Sequence, residues 1–172
     1  KFDKGIPNSD RIFRLEAQWA SMPPFLGDAI NQNLTKQVTS TRLRFEGDVG
    51  IQVNSNPYNI KDLTFADSTF FRVFKLDFIS GNPESALNKP FCVVLSETFS
   101  KRLFGSIDAI GKILRFENQI DFTVTAIIKD QPYLHFKTDI LASMISLEQI
   151  AYKGVLKEYD GWSYPTYLII PE

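Results

Sequence analysis

The longest uninterrupted apolar run in this 172-residue chain extends only from Phe91 to Leu95, far short of the ~20 residues a helix needs to cross a bilayer. The rest of the hydrophobic content, 44% of all residues, is dispersed among polar positions, so a core has to be assembled from amphipathic strands and helices packed face to face. A chain of this length buries roughly 70% of its unfolded surface, which permits one domain or two small lobes. With 19 basic and 20 acidic residues, a net charge of -1 and no long run of either sign, there is no footprint for nucleic acid or an anionic membrane surface. The single cysteine, Cys92, excludes an intramolecular disulfide and a thiolate metal cluster. The chain opens at Lys1 without a basic-then-apolar leader, which reads as a piece excised from a longer protein.

Periodicity predicts mixed secondary structure. From Arg11 to Trp19 a period of two places Phe13, Leu15, Ala17 and Trp19 on one face of a strand. Pro23 and Pro24 can open a helix whose Phe25, Leu26, Ala29, Ile30 and Leu34 share a face, and residues 38–45 read as extended. Strands are expected over 51–53 and 58–65 around a turn at Asn54–Pro57. Asp67 or Ser68 is placed to cap a short helix bearing Phe70, Phe71 and Phe74, and Gly81, Asn82 and Pro83 break the chain. Phe91–Leu95 then forms an apolar strand. Ser96 caps a helix with Phe99 and Leu103 one turn apart, and Gly105 ends it. A hairpin pairs 113–116 with 120–128, followed by an apolar segment over 136–144 and a last strand over 166–170.

The candidates for chemistry each meet a plainer reading. The segment Gly105-Ser-Ile-Asp-Ala-Ile-Gly111-Lys112-Ile113 lacks both the four-residue glycine spacing and the Ser or Thr after lysine that a phosphate loop needs, so it reads as a structural turn. Ser96 lacks the flanking glycines of a nucleophile elbow and reads as a helix cap. His135 is the lone histidine and cannot form a two-histidine metal site, and Cys92 sits in an apolar run that favours an inert, buried thiol. The acids Glu46 with Asp48, and Asp121 with Asp130, read as solvated. The sequon Asn33-Leu-Thr35 is short enough to arise by chance. Most aromatics fall on core faces, which leaves Tyr152, Tyr159, Trp162 and Tyr164 as the cluster best placed for a protein-contact surface. No catalytic, metal or cofactor site is expected.

Several blocks together carry a family resemblance: Asn8–Leu15, Ala66–Phe74, Gly81–Leu87, and above all Val93–Gly105 running through Asp108-Ala-Ile-Gly-Lys112 into Phe122–Ile128. They resemble the extracytoplasmic core domain of MacB-like and FtsX-like permeases, the membrane subunits of a class of ABC transport systems, over nearly the whole chain. Within these blocks Ser96, Phe104, Gly105, Asp108, Gly111 and Lys112 read as scaffold positions. The resemblance implies an α+β, two-lobed periplasmic domain, with a porter-like βαβ lobe over 1–64 and 130–172 interrupted by a smaller helix-plus-hairpin lobe over 65–129. It further implies a return to the membrane through a last helix beyond Glu172. No cofactor is implied here, because ATP belongs to a separate cytoplasmic ATPase reached through transmembrane helices. A second permease copy and a periplasmic adaptor protein are the implied partners, and nucleic acid is not one. The implied function is the coupling of ATP hydrolysis to export or mechanical signalling. The rival from the residues is a free-standing periplasmic domain that captures a small ligand between its lobes.

Overall fold

A computed structural model describes residues 5–16, 21–34, 38–117, 119–161 and 163–170. In chain order the elements are β1 (Ile12–Arg14), α1 (Phe25–Asn33), β2 (Thr39–Glu46), β3 (Val49–Val53), β4 (Asn56–Ile60), β5 (Leu63–Ala66), α2 (Phe70–Val73) and β6 (Phe78–Ser80). They continue with β7 (Cys92–Ser96), α3 (Glu97–Phe104), β8 (Ile113–Phe116), β9 (Ile120–Ile128), β10 (Ile140–Ser143), α4 (Leu147–Ile150) and β11 (Thr166–Ile169). The strands of the described residues form one hydrogen-bonded ladder in the order β1-β11-β2-β5-β10-β7-β9-β8-β3-β4, with β6 against β9. Pairs β5–β10 and β7–β9 are parallel. The expected α+β class is therefore the observed one.

Alternation along the central strands builds two cores, one on each side of the sheet. Val93, Leu95, Ile140 and Ala142 join one hydrophobic cluster, together with Phe99 and Leu103 of α3. Their neighbours Val94 and Leu141 join the other, built around α2. The apolar run of β7 is buried at every position, as a central strand covered on both faces requires. In the second cluster Phe74 packs edge-on against Phe136 at 5.3 Å and Tyr167 at 5.2 Å between ring centroids, the tilted geometry that aromatic quadrupoles favour.

Four expectations are revised by this packing. In β1 it is Ile12, opposite Ile169, that leans on the α2 cluster, while Phe13 is 49% exposed; β1 is an outer strand whose inward parity is set by β11. Ala17 and Trp19 lie outside the described residues, as does Thr35 of the sequon. The turn after β3 is tighter than expected, with positive φ at Asn54 and Ser55 (47° and 69°), so Asn56 and Pro57 already belong to β4. Proline is tolerated there because β4 ends the ladder. The stretch 58–65 is two strands, β4 and β5. Neither Asp67 nor Ser68 caps α2: the N-cap is Thr69, without a side-chain bond, because the Asp67 carboxylate is turned to Arg42. Strand β6 and helix α4 had no clear signal in the sequence.

The 93–128 segment folds as expected. Ser96 Oγ accepts from Phe99 N–H at 3.3 Å, and Gly105 closes α3 in the left-handed region at φ 70°. Gly111 turns into β8 at φ 81°, with open space where a Cβ would stand. A valine at Gly111 would meet backbone strain alone, on the order of 1–3 kcal/mol. Gly111→Val should accordingly lower the melting temperature by several degrees in a thermal scan, and an unchanged midpoint would contradict the left-handed turn.

Candidate functional site

Among the described residues a buried arginine clamp stands between β2 and α1. Along β2, Ser40 and Arg42 face the helix. Ser40 Oγ donates to Gly27 O at 2.9 Å, and the Asn31 side chain brackets the Ser40 backbone, accepting from its N–H at 2.8 Å and donating to its carbonyl at 3.1 Å. Gly27 is where the helix comes closest, since a Cβ there would stand 2.7 Å from the Arg42 stem. The guanidinium is 3% exposed and forks onto Asp67, with Nε to Oδ2 at 2.9 Å and Nη2 to Oδ1 at 2.8 Å. Nη2 also reaches Asp28 Oδ1 at 3.0 Å, and Nη1 donates to the carbonyls of Pro24 and Leu156. Asp67 accepts the Arg42 backbone N–H as well, at 2.7 Å. One side chain therefore joins β2, α1, the β5–α2 junction and the 155–157 turn, and the planar five-donor fork is what makes this possible. Desolvation pulls the Arg42 pKa down, but Asp67 and Asp28 outweigh it and hold the guanidinium charged. Burial raises the Asp28 carboxyl, opposed by Arg42 and reinforced by Asp67.

The 155–157 turn is itself held by Glu148, whose carboxylate accepts from Gly154 N–H at 2.6 Å and Leu156 N–H at 3.0 Å. Those donors, the Gly154 bond foremost, lower its pKa. A depressed carboxylate pKa contributes stability that is complete above the unfolded glutamate pKa and is lost as pH falls through the folded value. Glu148→Gln should therefore flatten the decline of melting temperature on acidification below the ordinary glutamate range. Parallel curves for the variant and the parent chain would contradict this role.

Above the clamp lies a cleft of about 660 Å³. Arg42 forms its floor, and Asp28, Asp67, Glu148, Lys153 and Lys157 stand around it. It differs from a small-molecule pocket in its polar groups, which such a pocket leaves available to the ligand. Here the central cation is consumed by the protein's own acceptors.

The residues singled out in the sequence are scattered. Tyr164 is buried and its hydroxyl accepts from Arg44 at 3.2 Å, so it belongs to the core and not to a contact surface. Tyr152 and Tyr159 are exposed; Tyr152 donates to Glu158 at 2.5 Å, and the Tyr159 ring sits 4.3 Å from that of Phe25. Trp162 lies outside the described residues. Phe104 is half-buried under Lys112, whose Nζ is 5.0 Å from the ring centroid, and the Asp108 N–H donates to Ser106 Oγ at 3.0 Å. Besides its cap, Ser96 Oγ donates to Asp139 at 3.4 Å, His135 Nε2 lies 2.6 Å from the Tyr167 hydroxyl, and burial raises the Cys92 thiol. Of the acids, Glu46 bonds Arg44, Asp48 accepts from Asn59, Asp121 pairs with Arg115 and Asp130 accepts from Thr98. No group of three or more metal-ligating side chains occurs among the described residues. The arginine clamp went unread in the sequence, although one signal was present: a glycine inside an amphipathic helix marks a close approach.

The fold recurs in domains of transport proteins, two of them periplasmic or extracellular. A domain of a protein assigned as a permease from Porphyromonas gingivalis shares it at 21% identity and TM-score 0.80, over 96% of this chain and 77% of that one. The periplasmic region of MacB from Actinobacillus actinomycetemcomitans shares it at 14% identity and TM-score 0.64, over 92% and 72%. The extracellular domain of the noncanonic ABC-type transporter YknZ from Gram-positive bacteria shares it at 15% identity and TM-score 0.61, over 94% and 82%. No curated protein sequence matches the chain. The architecture is thus that of a permease's extracytoplasmic domain. A family model for the MacB-like periplasmic core domain matches residues 1–159, and the chain belongs to that family. It is the periplasmic domain of a MacB-like ABC transporter permease, and no described helix is long and apolar enough to cross a membrane.

Proposed function

We propose that this domain couples ATP hydrolysis by a separate cytoplasmic ATPase to work on an extracytoplasmic partner, with two permease copies acting together and a periplasmic adaptor as the partner in reach. The observation that carries the reading is the unbroken ladder from β1–β11 to the β3–β4 hairpin at the other end of the strand order. A continuous sheet with a packed core on both faces moves as a unit, which suits a part that relays displacement. The two-lobed division, 1–64 with 130–172 and 65–129, belongs to this reading, with β5, β10 and β7 as the seam through which one lobe would drive the other. The clamp supports it too, since Arg42 fastens the Asp67 junction to α1 and the 155–157 turn. The ligand-capture alternative draws less support, because the cleft above the clamp is floored by a guanidinium already saturated by the protein.

The test is the full-length permease reconstituted in vesicles with its ATPase, measuring ATP turnover and vectorial activity together. Arg42→Ala should leave turnover largely intact while work per ATP falls, and Arg115→Ala, an exposed pair with Asp121, should change neither. Work that survives Arg42→Ala at the parent level would overturn the coupling role.

A further inference from the structure

We infer that the cleft above Arg42 seats an extended acidic peptide segment of the extracytoplasmic partner, an inference that rests on the coupling reading. The argument is one of which charges are already engaged. Of the three acids lining the cleft, Asp67 and Asp28 hold Arg42, and Glu148 is turned onto the Gly154 and Leu156 amides. Arg42, one of the three lining cations, is saturated. The other two are not: the ammonium groups of Lys153 and Lys157 line the cleft without a hydrogen bond or ion pair among the described residues, and Lys157 acts on Asp28 and Glu148 only as a more distant charge. The lining sums to zero net charge, yet what it offers an incoming group is two exposed ammonium ions beside carboxylates whose oxygens are occupied.

The remaining lining suits a peptide more than a compact anion. The side chains of Ser68, Asn88 and Gln149 also line the cleft without hydrogen-bond partners among the described residues, and each can both donate to and accept from a peptide backbone. Ile145 is 44% exposed at the wall, with Gln149 and Lys153 following at intervals of four. An apolar, a neutral polar and a cationic lining position suit an extended chain that carries both apolar and acidic side chains. The volume of about 660 Å³ falls within the range of sites that enclose a drug-sized ligand. The cleft also lies where 67–68 and 87–88 of the inserted segment face 145–157, so an occupant would bridge the two proposed lobes.

The experiment uses the 172-residue chain and a fluorescein-labelled hexapeptide amide of alternating glutamate and leucine, read by anisotropy at low salt, with amide chemical-shift mapping to locate it. A hexapeptide of alternating lysine and leucine and free glutarate are the comparison probes. Binding of the acidic peptide is expected, with shifts at Asn88, Gln149 and Lys153. The double variant Lys153→Glu/Lys157→Glu should weaken it by about tenfold or more, as the loss and reversal of two exposed ion pairs predicts, while Lys61→Glu, outside the cleft, should not. Equal binding of the basic peptide, an affinity unmoved by the double variant, shifts confined to another face, or no binding at millimolar peptide would each overturn the inference. Glutarate binding as tightly as the peptide would overturn the peptide and leave a small-anion site. These outcomes are separable from the coupling test, which is read from ATP turnover and work in the reconstituted permease.

Discussion

Arg42→Ala is expected to destabilise the domain by about 3–5 kcal/mol, the range for removing one partner of a buried ion pair. The variant would leave the Asp67 carboxylate, only 13% exposed, with the residue 42 backbone N–H as its one remaining donor among the described residues. The Pro24 and Leu156 carbonyls would lose the donor they share, and a space would open beside Gly27. Urea unfolding at neutral pH measures the effect as a shift in midpoint with an unchanged slope. Arg42→Lys should recover only part of the loss, since one ammonium cannot fork onto Asp67 and still reach Asp28 and two carbonyls. Adding Asp67→Asn to Arg42→Met should likewise recover stability by removing the orphaned charge. The pair is not thereby a large net source of stability, because desolvating three charges offsets much of their attraction. Its effect lies in holding four chain segments in one geometry. A cost below about 1 kcal/mol for Arg42→Ala, the level of an exposed ion pair, would contradict the clamp.

Gly81→Ala should be comparably damaging for a different reason. Gly81 leaves β6 at φ 91°, where its missing Cβ would stand 2.5 Å from the Ala126 Cβ and 2.6 Å from the Thr125 carbonyl oxygen. The conformation disfavours any L side chain, and the contact is with strand backbone that cannot rotate away. Strain and overpacking together amount to about 3 kcal/mol or more, or roughly 6–12 °C in melting temperature for a domain of this size. Ala126→Gly in the same background should restore little, because the Thr125 oxygen still blocks the site. A melting point within a degree or two of the parent would show that β6 does not lie against β9 as described.

What could be read from the sequence follows from which signals are local. The Val93–Ile128 segment was legible because most steps have a short-range cause: an apolar run for a central strand, a serine at the start of α3, glycines at the left-handed positions 105 and 111, and alternation in β9. Arg42 was not legible, since an arginine at a polar position of an alternating strand looks the same whether it faces water or a helix. Its burial depends on Asp28, Asp67 and Leu156, brought in from distant parts of the chain. Asp67 was misread as a cap for the same reason, because a long-range guanidinium outcompetes a local amide. The parity of β1 was likewise decided by β11, more than 150 residues away in sequence. Tyr164 counted as a surface aromatic only because its neighbours are polar, and the structure pairs it with Arg44.

The most direct test of coupling is the distance between the two copies of the domain in the full-length permease. Spin labels at Asn56→Cys, on the exposed end of β4, in a Cys92→Ser background would report it by pulsed electron paramagnetic resonance, with and without ATP trapped on the ATPase. Coupling predicts a nucleotide-dependent change in the inter-copy distance that persists in detergent and in vesicles. One unchanged distance distribution across all nucleotide states, in a preparation that hydrolyses ATP and does work, would contradict it.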